Sequence, residues 1–365
     1  MTVNPSGRTG IAYLPLHGGK APPWLFQRMT KLAREISVII IEEFGPEEIL
    51  RRLSDPFWFQ AFGCVLGFDW HSSGLTTTVC GAMKEGVRGL EKELGLFIAG
   101  GKGGVARQTP LEIQKWAEQI SLNPEKLIYA SRMSAKVDST ALQDGYQLYH
   151  HCFIFTRTGK WAVIQQGMNN TNSYARRYHW LGERISDFVN EPHAAIHAQA
   201  KATILNLVAS ESTSARKTIT EIATTQKPEI NLLNLQKLKT LQLPARHQIE
   251  VNDIHPENLR KILISTYDRQ PGNFEKLIEL QGVGPKTIRA LSLISELIYG
   301  VSPSYRDPAV FSFAHGGKDG IPYPIDRQTY DRSIDLLARL ISRARLSISE
   351  KREAFGRLDQ FRSFK

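Results

Sequence analysis

The chain has little cysteine and no long apolar run. Its three cysteines, Cys64, Cys80 and Cys152, stand far apart in 365 residues, and none belongs to a Cys-x-x-Cys pair. A disulfide framework and a thiolate zinc site are therefore not expected. No run of about 18 apolar residues occurs, which excludes a membrane-spanning helix, and residues 1–8 lack the apolar core of a signal peptide. We expect a cytoplasmic protein with no membrane association.

A nucleotide-binding loop is also missing. Gly100–Arg107 reads GGKGGVAR and looks like the start of such a loop, but the Gly-Lys-Ser/Thr ending that holds phosphate and magnesium is absent. We therefore expect no nucleotide cofactor and predict a flexible basic loop at this position.

Basic residues, in contrast, are abundant. Lys and Arg number 46 against 36 Asp and Glu, which gives a formal net charge of +10. This excess favours a polyanionic partner such as nucleic acid. Charge alone is equally compatible with a basic soluble protein that binds no nucleic acid, so the choice depends on the motifs.

Periodicity predicts both helices and strands in the first part of the chain. Apolar spacing predicts a helix from about Trp24 to Phe44, ended by Gly45. Aromatic and β-branched residues predict two strands, Tyr146–Phe155 and Trp161–Gln166, joined by a turn at Thr158–Lys160. Shorter patterns predict three more elements: helices at Thr76–Leu94 and Pro110–Gln119, and a strand at Ile128–Met133.

Residues 210–227 are polar, rich in Ser and Thr and free of aromatics, which predicts a linker between domains. Helical patterns dominate beyond this segment. We therefore expect the α+β fold class, with two domains as a chain of this length favours. Residues 1–209 would form a mixed α+β domain, the candidate catalytic domain, and residues 228–365 an α-helical DNA-binding domain.

The most specific motif spans Asn273–Gly300, where two helical patterns flank the turn Gln281–Gly284. The glycines at 282 and 284 can adopt backbone angles that other residues resist, and they allow close approach of a ligand. Pro285 suits the first turn of a helix, whose free amides and dipole form an anion site. Lys286 adds a positive charge for a phosphate. The alternative is a glycine-containing turn between helices with no ligand.

This segment resembles the helix-hairpin-helix element of DNA repair enzymes. The resemblance implies DNA binding through backbone contacts, without strong sequence preference. The residues that would make these contacts are Gly282, Val283, Gly284, Lys286 and Thr287.

Base-excision glycosylases of that superfamily carry a catalytic Asp after the hairpin, preceded by a short apolar stretch with proline. Tyr323–Arg327 has this pattern, and Asp326 is the matching residue. The separation from Gly284 is longer than is usual in the family. Asp326 as a helix cap or as part of a structural salt bridge is therefore the alternative to a catalytic role.

Polar residues of the first domain provide further candidates. His17 and Lys20 lie in a Gly-rich loop before the first helix, where they suit phosphate binding or a structural turn equally. Arg176 and Arg177 follow the predicted strands and are candidate DNA contacts. Both pairs add positive charge to the expected DNA-binding surface.

Carboxylate and imidazole groups are suitable ligands for a divalent metal at a phosphodiester site. Since His150 and His151 point to opposite faces of a strand, they cannot both serve one site from the same face. The candidate metal ligands, for Mg or Mn, are Asp69, His71, Asp138, Asp144 and His151, and the candidate catalytic residues are Lys136, Asp138, Asp144, His150 and Asp326.

These residues favour a metal-dependent DNA nuclease that acts in DNA repair or processing. Metal nucleases usually carry an acidic residue and a lysine on the second strand of such a hairpin, whereas this chain has Gln165 and Gln166 there. Two alternatives stay open: a glycosylase or abasic-site lyase that uses Asp326 or Lys286, and a DNA-binding scaffold without catalytic activity.

Longer strings resemble a prokaryotic family known as domain of unknown function 763. The resemblance covers nearly the whole chain and implies no particular chemistry, so the function must be argued from the residues. The strings are LPLHGGKAPPWLFQRM, RRLSDPFWFQAFGCVLGFDWHSSG, DGYQLYHH, WAVIQQGMN, ARRYHW and FAHGGKDGIPYP.

The nuclease hypothesis predicts that Asp138→Asn or Asp144→Asn abolishes DNA cleavage in the presence of magnesium or manganese. A divalent ion would neutralise charge on the phosphate and activate water, and each substitution would remove one of its ligands. Cleavage of labelled duplex, flap and single-stranded DNA, with and without EDTA, is the measurement. A wild-type protein that cleaves nothing with any divalent metal, or folded variants that cleave as well as wild type, would contradict the hypothesis.

Overall fold

A six-stranded sheet forms the centre of the fold. The computed structural model describes residues 14–16, 21–69, 71–199, 201–239, 256–311 and 327–362. The strand order is β1-β3-β4-β5-β6-β8, and β2 and β7 form a separate two-stranded ladder. The strands are β1 (Leu96–Lys102), β2 (Leu142–Gln143), β3 (Gln147–Thr156), β4 (Trp161–Asn169), β5 (Tyr174–Leu181), β6 (His193–Ala198), β7 (Leu205–Asn206) and β8 (Val310–Phe311).

Helices cover both faces of this sheet. None of those in the described residues combines the length and apolarity that a bilayer span requires. They are α1 (Pro23–Phe44), α2 (Pro46–Ser54), α3 (Pro56–Leu66), α4 (Gly74–Gly86), α5 (Glu91–Leu94), α6 (Gly104–Arg107), α7 (Thr109–Gln119), α8 (Glu125–Lys136), α9 (Thr213–Thr225), α10 (Pro228–Lys239), α11 (Pro256–Arg269), α12 (Phe274–Glu279), α13 (Pro285–Leu297), α14 (Arg327–Arg343) and α15 (Ile348–Arg362).

Proline and glycine set the boundaries of the first helices. Pro23, Pro46 and Pro56 each occupy the first turn of a helix, where the missing amide hydrogen costs nothing. Gly45 ends α1 with a φ of 84°, in the region that favours glycine. The Asp55 side chain caps α3 by accepting from two backbone amides. The helix predicted from Trp24 to Phe44 is confirmed.

The central hairpin joins β3 and β4 in antiparallel register, with Phe155 opposite Trp161. Gly159 supplies a φ of 80° in the turn. The hairpin predicted from aromatic and β-branched residues is therefore confirmed: β3 is shifted by one residue from the predicted strand, and β4 extends three residues further than predicted. The remaining neighbours are also antiparallel, except that β8 runs parallel to β6.

The two faces of the sheet contribute to two separate cores. Phe153, Phe155 and Val163 point to the first face, which is covered by α7 to α13. Alternate residues such as Ile154 and Ile164 point to the second face, which is covered by α1 to α4 together with α14 and α15. Each core therefore combines side chains from the beginning and the end of the chain. The mixed α and β class with C-terminal helices is confirmed.

The single helix predicted at Thr76–Leu94 is divided into α4 and α5, and two further local predictions were wrong in kind. Ile128–Met133 lies within helix α8, because its buried residues, Leu127, Ala130, Ser131 and Ser134, repeat at helical spacing. Gly100–Arg107 is not a flexible loop: residues 100–102 end strand β1 and residues 104–107 form α6. A short apolar run is ambiguous between strand and helix, which explains the first of these errors.

The segment 210–227, predicted as a linker, is helical and partly buried. It contains a 3₁₀ turn, Ser210–Ser212, followed by α9. Ala215, Ile219 and Ile222 of α9 belong to the core on the first face. Ser and Thr dominate the exposed side of this helix, and their abundance concealed its apolar stripe.

The tight end of β1 provides a test of the sheet register. Gly100 has a φ of 85°, and a Cβ there would overlap the carbonyl oxygen of His151 on the neighbouring strand. We expect Gly100→Ala to lower the free energy of unfolding by about 2 kcal/mol or more, through backbone strain and steric overlap. Gly104→Ala is the matched control, because its Cβ would meet no atom within 4 Å and Gly104 is in a helix. Urea unfolding gives both values, and equal midpoints would contradict this register.

Candidate functional site

The turn between α12 and α13 is built around two glycines. Gly282 has a φ of 91°, which favours glycine, and Gly284 is the N-cap of α13 in an extended conformation. A Cβ at Gly284 would meet no atom within 4 Å, so the described residues leave space on this side of the turn. Val283, only 1% exposed, packs inward and anchors the turn to the core on the first face.

The exposed part of the turn presents donors and a positive charge. Gln281, Gly282, Pro285 and Lys286 are exposed, and Gly284 is half-buried. The first-turn amides of α13 have no partner within the helix, so they carry partial positive charge. Thr287 is 2% exposed, so it is buried like Val283. Of the predicted hairpin contacts, only Gly282, Gly284 and Lys286 therefore reach the surface.

Three contacts fix the turn to the first part of the chain. The Lys136 ammonium group donates to the Val283 carbonyl. Gln143 Nε2 donates to the Pro285 carbonyl at 2.9 Å, and Arg289 Nε donates to Gln143 Oε1 at 2.9 Å. Burial lowers the pKa of Lys136 from its ordinary value. Lys136, predicted as a catalytic cation, thus holds the turn in position.

Helix α8 runs beside α12 and extends the basic surface. Tyr129 Oη donates to the carboxylate of Glu275 on α12, and the Lys276 ammonium lies 4.9 Å from the centre of the Tyr129 ring. Arg132 is exposed and falls three residues after Tyr129 and four before Lys136, on the same side of α8. Arg132 therefore adds positive charge on this side of α8, whereas Lys276 is paired with Glu279 at 2.7 Å.

Asp138 lies in a π-helical turn, Val137–Ala141, that directly follows α8. It is fully buried on the first face of the sheet. Its Oδ1 is 2.5 Å from His193 Nε2, while its Oδ2 accepts from Gln165 Nε2 at 2.5 Å and from Trp180 Nε1 at 3.0 Å. Both oxygens of this predicted metal ligand are therefore engaged by protein groups.

His151 continues the same hydrogen-bonded chain. Its Nδ1 is 2.8 Å from Gln165 Oε1, and its Nε2 is 2.9 Å from Ser131 Oγ. Since Gln165 gives its NH₂ group to Asp138, its oxygen must accept, which places the proton of a neutral His151 on Nδ1. Burial lowers the pKa of His151, and Nε2 then accepts from Ser131. Neither ring nitrogen of His151 is left for a metal.

Asp144 belongs to a second buried cluster on the same face. Arg176 bridges two carboxylates, with Nη1 2.9 Å from Asp144 Oδ2 and Nη2 2.6 Å from Asp307 Oδ2. Tyr178 Oη donates to Asp144 Oδ2 at 2.7 Å. Burial lowers the pKa of Arg176, but Asp144 and the other nearby anions outweigh this effect and raise it. The expected DNA contact of Arg176 is incompatible with its complete burial.

Arg177 is equally buried but points to the second face. Its guanidinium donates to Gln60 Oε1 at 2.9 Å, to Thr76 Oγ1 at 3.3 Å and to His179 Nε2 at 3.0 Å. Burial lowers its pKa to about 9. The two arginines occupy a strand that is covered by helices on both sides. The prediction that both contact DNA at the surface was therefore wrong.

His150 points to the second face, opposite to His151, as predicted. It is fully buried, and neither ring nitrogen has a hydrogen-bond partner in the described residues. Burial, followed by the charges of His151 and Lys102, lowers its pKa to about 3. His150 is therefore neutral at pH 7, which does not suit the predicted proton transfer near neutral pH.

The five predicted metal ligands are not brought together. Asp69 and His71 are exposed between α3 and α4, on the side of the second face, whereas Asp138, Asp144 and His151 lie on the first. Within the described ranges, no three His, Cys, Asp or Glu side chains are placed to hold one metal ion. His17, Lys20 and Asp326 lie outside the described residues.

Several partners in these clusters were missed from the sequence. His193 and Asp307 are distant in sequence from Asp138 and Asp144, so only the fold reveals the pairs. Strand alternation could have placed Gln165 and His151 on one face, because the two residues lie opposite each other in the hairpin.

Residues 10–325 match the family described as protein of unknown function, DUF763. The chain belongs to this family. The resemblance expected from the sequence strings is thereby confirmed. No curated protein and no solved structure matches the chain. Membership of this family does not indicate an activity.

The role assigned to Lys136 leads to a prediction. Lys136→Met keeps most of the side-chain volume but removes the donor to the Val283 carbonyl, so the turn at 281–284 should open more often. We expect hydrogen exchange of the 280–284 amides to accelerate about tenfold. Lys126→Met, an exposed position on the same helix, is the control and should leave this exchange unchanged. Equal exchange in both variants would remove Lys136 from this role.

Proposed function

We propose that this protein binds the DNA backbone through the turn Gln281–Gly284 and the N-terminus of α13. The observation that carries the proposal is the exposed glycine turn that leads directly into a 13-residue helix. Its free amides and the helix dipole favour an anion, and Lys286 adds a full positive charge beside them.

The surroundings of the turn support a polyanionic ligand. Arg132 lies exposed on the neighbouring helix α8, and the chain as a whole carries a net charge of +10. The contacts with Lys136 and Gln143 fix the turn before any ligand arrives, which reduces the entropy lost on binding. Phosphate contacts of this kind position a protein on DNA without direct reading of its sequence.

The chemistry performed on bound DNA stays a prediction. If the protein is a metal-dependent nuclease, it should cleave DNA and EDTA should abolish the cleavage. If it is a lyase, borohydride should trap a covalent adduct between the protein and abasic DNA. Binding without turnover would favour the scaffold. The carboxylates of Asp138 and Asp144 are buried and each is in contact with three protein donors, so ion binding there would require rearrangement of both clusters.

The binding proposal predicts the effect of two substitutions. Gly284→Val adds bulk where a phosphate would approach, and we expect it to weaken binding at least tenfold for every duplex sequence. Lys286→Ala should also lower the slope of log affinity against log salt by about 0.9, the value for one lost phosphate contact. Fluorescence anisotropy with labelled duplexes over a salt series measures both effects.

Matched controls lie elsewhere on the chain. Gly272→Val changes an exposed glycine where, as at Gly284, an added Cβ would meet no atom within 4 Å, and Lys92→Ala removes an exposed lysine on α5, beside the edge strand β1. Both controls should bind like wild type. If Gly284→Val and Lys286→Ala keep the wild-type affinity and salt slope, the turn is not the binding surface.

A further inference from the structure

An open cavity of about 460 Å³ lies on the first face of the sheet, beside the start of α8. Three of its walls are aromatic and half-buried, and its chief lining residues are Lys126, Tyr129, Trp161, Gly182, Ile185 and Phe188. Its volume falls in the range of small-molecule sites. Tyr129 is shared with the surface described above, whereas Trp161, Gly182, Ile185 and Phe188 are not part of it.

The aromatic side chains form an ordered stack. The rings of Trp161 and Phe188 are parallel within 6° with centres 6.1 Å apart, and Phe153 stacks on Trp161 from the core at 5.6 Å. Tyr129 meets Phe188 edge-on at 5.7 Å. This arrangement gives the cavity a rigid aromatic wall supported from behind.

Gly182 makes this arrangement possible. A Cβ at position 182 would overlap the Trp161 ring, so any other residue would force the indole to move. The backbone at Gly182 thus lies directly against the indole and holds it in place. A flat apolar wall with fixed ring geometry suits a planar aromatic ligand better than a flexible aliphatic one.

The cavity and the glycine turn lie along the same helix. Tyr129 lines the cavity and Lys136 holds the turn. The two residues are seven positions apart on α8. At 1.5 Å per residue this separation is about 10 Å, which corresponds to roughly three base steps of a DNA strand. A strand whose phosphate lies on the turn can therefore reach the cavity with a nearby nucleotide.

The charges around the cavity agree with a nucleotide. Lys126 lines it, and Lys276, which is paired with Glu279 at 2.7 Å, lies over the Tyr129 ring at its side. Glu125, which also lines the cavity, is the opposing charge, while Glu275 is occupied by the Tyr129 hydroxyl group. Lys126 can pair with a phosphate that flanks a base inside the cavity.

We propose that this cavity receives an unpaired nucleobase from the DNA strand that lies on the glycine turn. The proposal rests on the proposed function, since the turn supplies the backbone contact. A base excluded from the helical stack would pack against Trp161 and Phe188, as bases do on aromatic side chains in proteins that bind single strands. A base that is already unpaired enters at the least cost, since no base pair has to be broken.

The first test compares two labelled duplexes that differ by one unpaired base. Wild type should bind the duplex with the unpaired base about tenfold more tightly than the fully paired one. Phe188→Leu keeps apolar volume but removes a ring, and it should abolish this preference without weakening binding to paired DNA. Trp24→Leu is the control: it removes an exposed aromatic side chain from α1, a helix that covers the other face of the sheet. It should change the affinity for neither duplex.

The second test locates the base directly in the wild-type protein, so it does not depend on whether a variant folds. 5-Iododeoxyuridine at the unpaired position should cross-link under near-ultraviolet light to Tyr129, Trp161 or Phe188, identified by mass spectrometry. The same reagent in a paired position should not. Cross-links confined to other residues, together with equal affinity for the two duplexes, would overturn the cavity assignment.

The two proposals fail in different ways. If wild type binds neither duplex, the proposed function fails and this inference fails with it. If it binds both duplexes equally, Gly284→Val weakens both and Phe188→Leu weakens neither, DNA binding by the turn stands while the cavity has no part in it. Support for the cavity requires loss of the preference in Phe188→Leu alone.

Discussion

The buried Asp138 carboxylate is the constraint on which the first face of the sheet depends. Burial of an ion costs several kcal/mol unless hydrogen bonds compensate for the lost water. Here His193, Gln165 and Trp180 provide that compensation, and they come from three adjacent strands, β6, β4 and β5. The carboxylate therefore fixes the end of α8 against the sheet. Lys136, two residues earlier, is placed against the glycine turn by the same anchor.

Helix α8 connects the internal polar chain with both candidate binding features. Ser131 faces inward to His151, Tyr129 lines the aromatic cavity, and Lys136 holds the turn. A helix anchored at its C-terminal end and packed along its length keeps these features at a constant spacing. Such rigidity suits recognition of a ligand with its own regular spacing, as a polynucleotide has.

Much of the fold could be predicted from local patterns, whereas the clusters could not. Aromatic and β-branched residues in Tyr146–Phe155 identified a strand buried on both faces, and apolar spacing identified α1, which buries one face. Ile128–Met133 was mistaken for a strand because a short apolar run fits both periods. The glycine turn at 281–284 was visible because glycine and proline impose local geometry, whatever surrounds them.

The positions and partners of the polar residues could not be predicted from the sequence. Arg176 and Arg177 suggested a surface because arginine is rarely buried, but their strand is covered on both faces and each guanidinium finds partners inside. Asp138 and Asp144 were predicted as metal ligands, yet His193, beside Asp138, and Asp307, which shares Arg176 with Asp144, are brought close only by tertiary structure. A concentration of acids and histidines therefore indicated a buried network as readily as a metal site.

The pairing of Arg176 with Asp307 has a consequence for how the chain folds as it is synthesised. Strand β5 and Asp144 leave the ribosome long before Asp307, and β8 completes the edge of the sheet only at residue 311. Until then Arg176 lacks its second carboxylate and β6 lacks its parallel neighbour. A nascent or truncated chain therefore leaves Arg176 with one carboxylate fewer and exposes the His197–Ala198 end of β6, where another chain could pair.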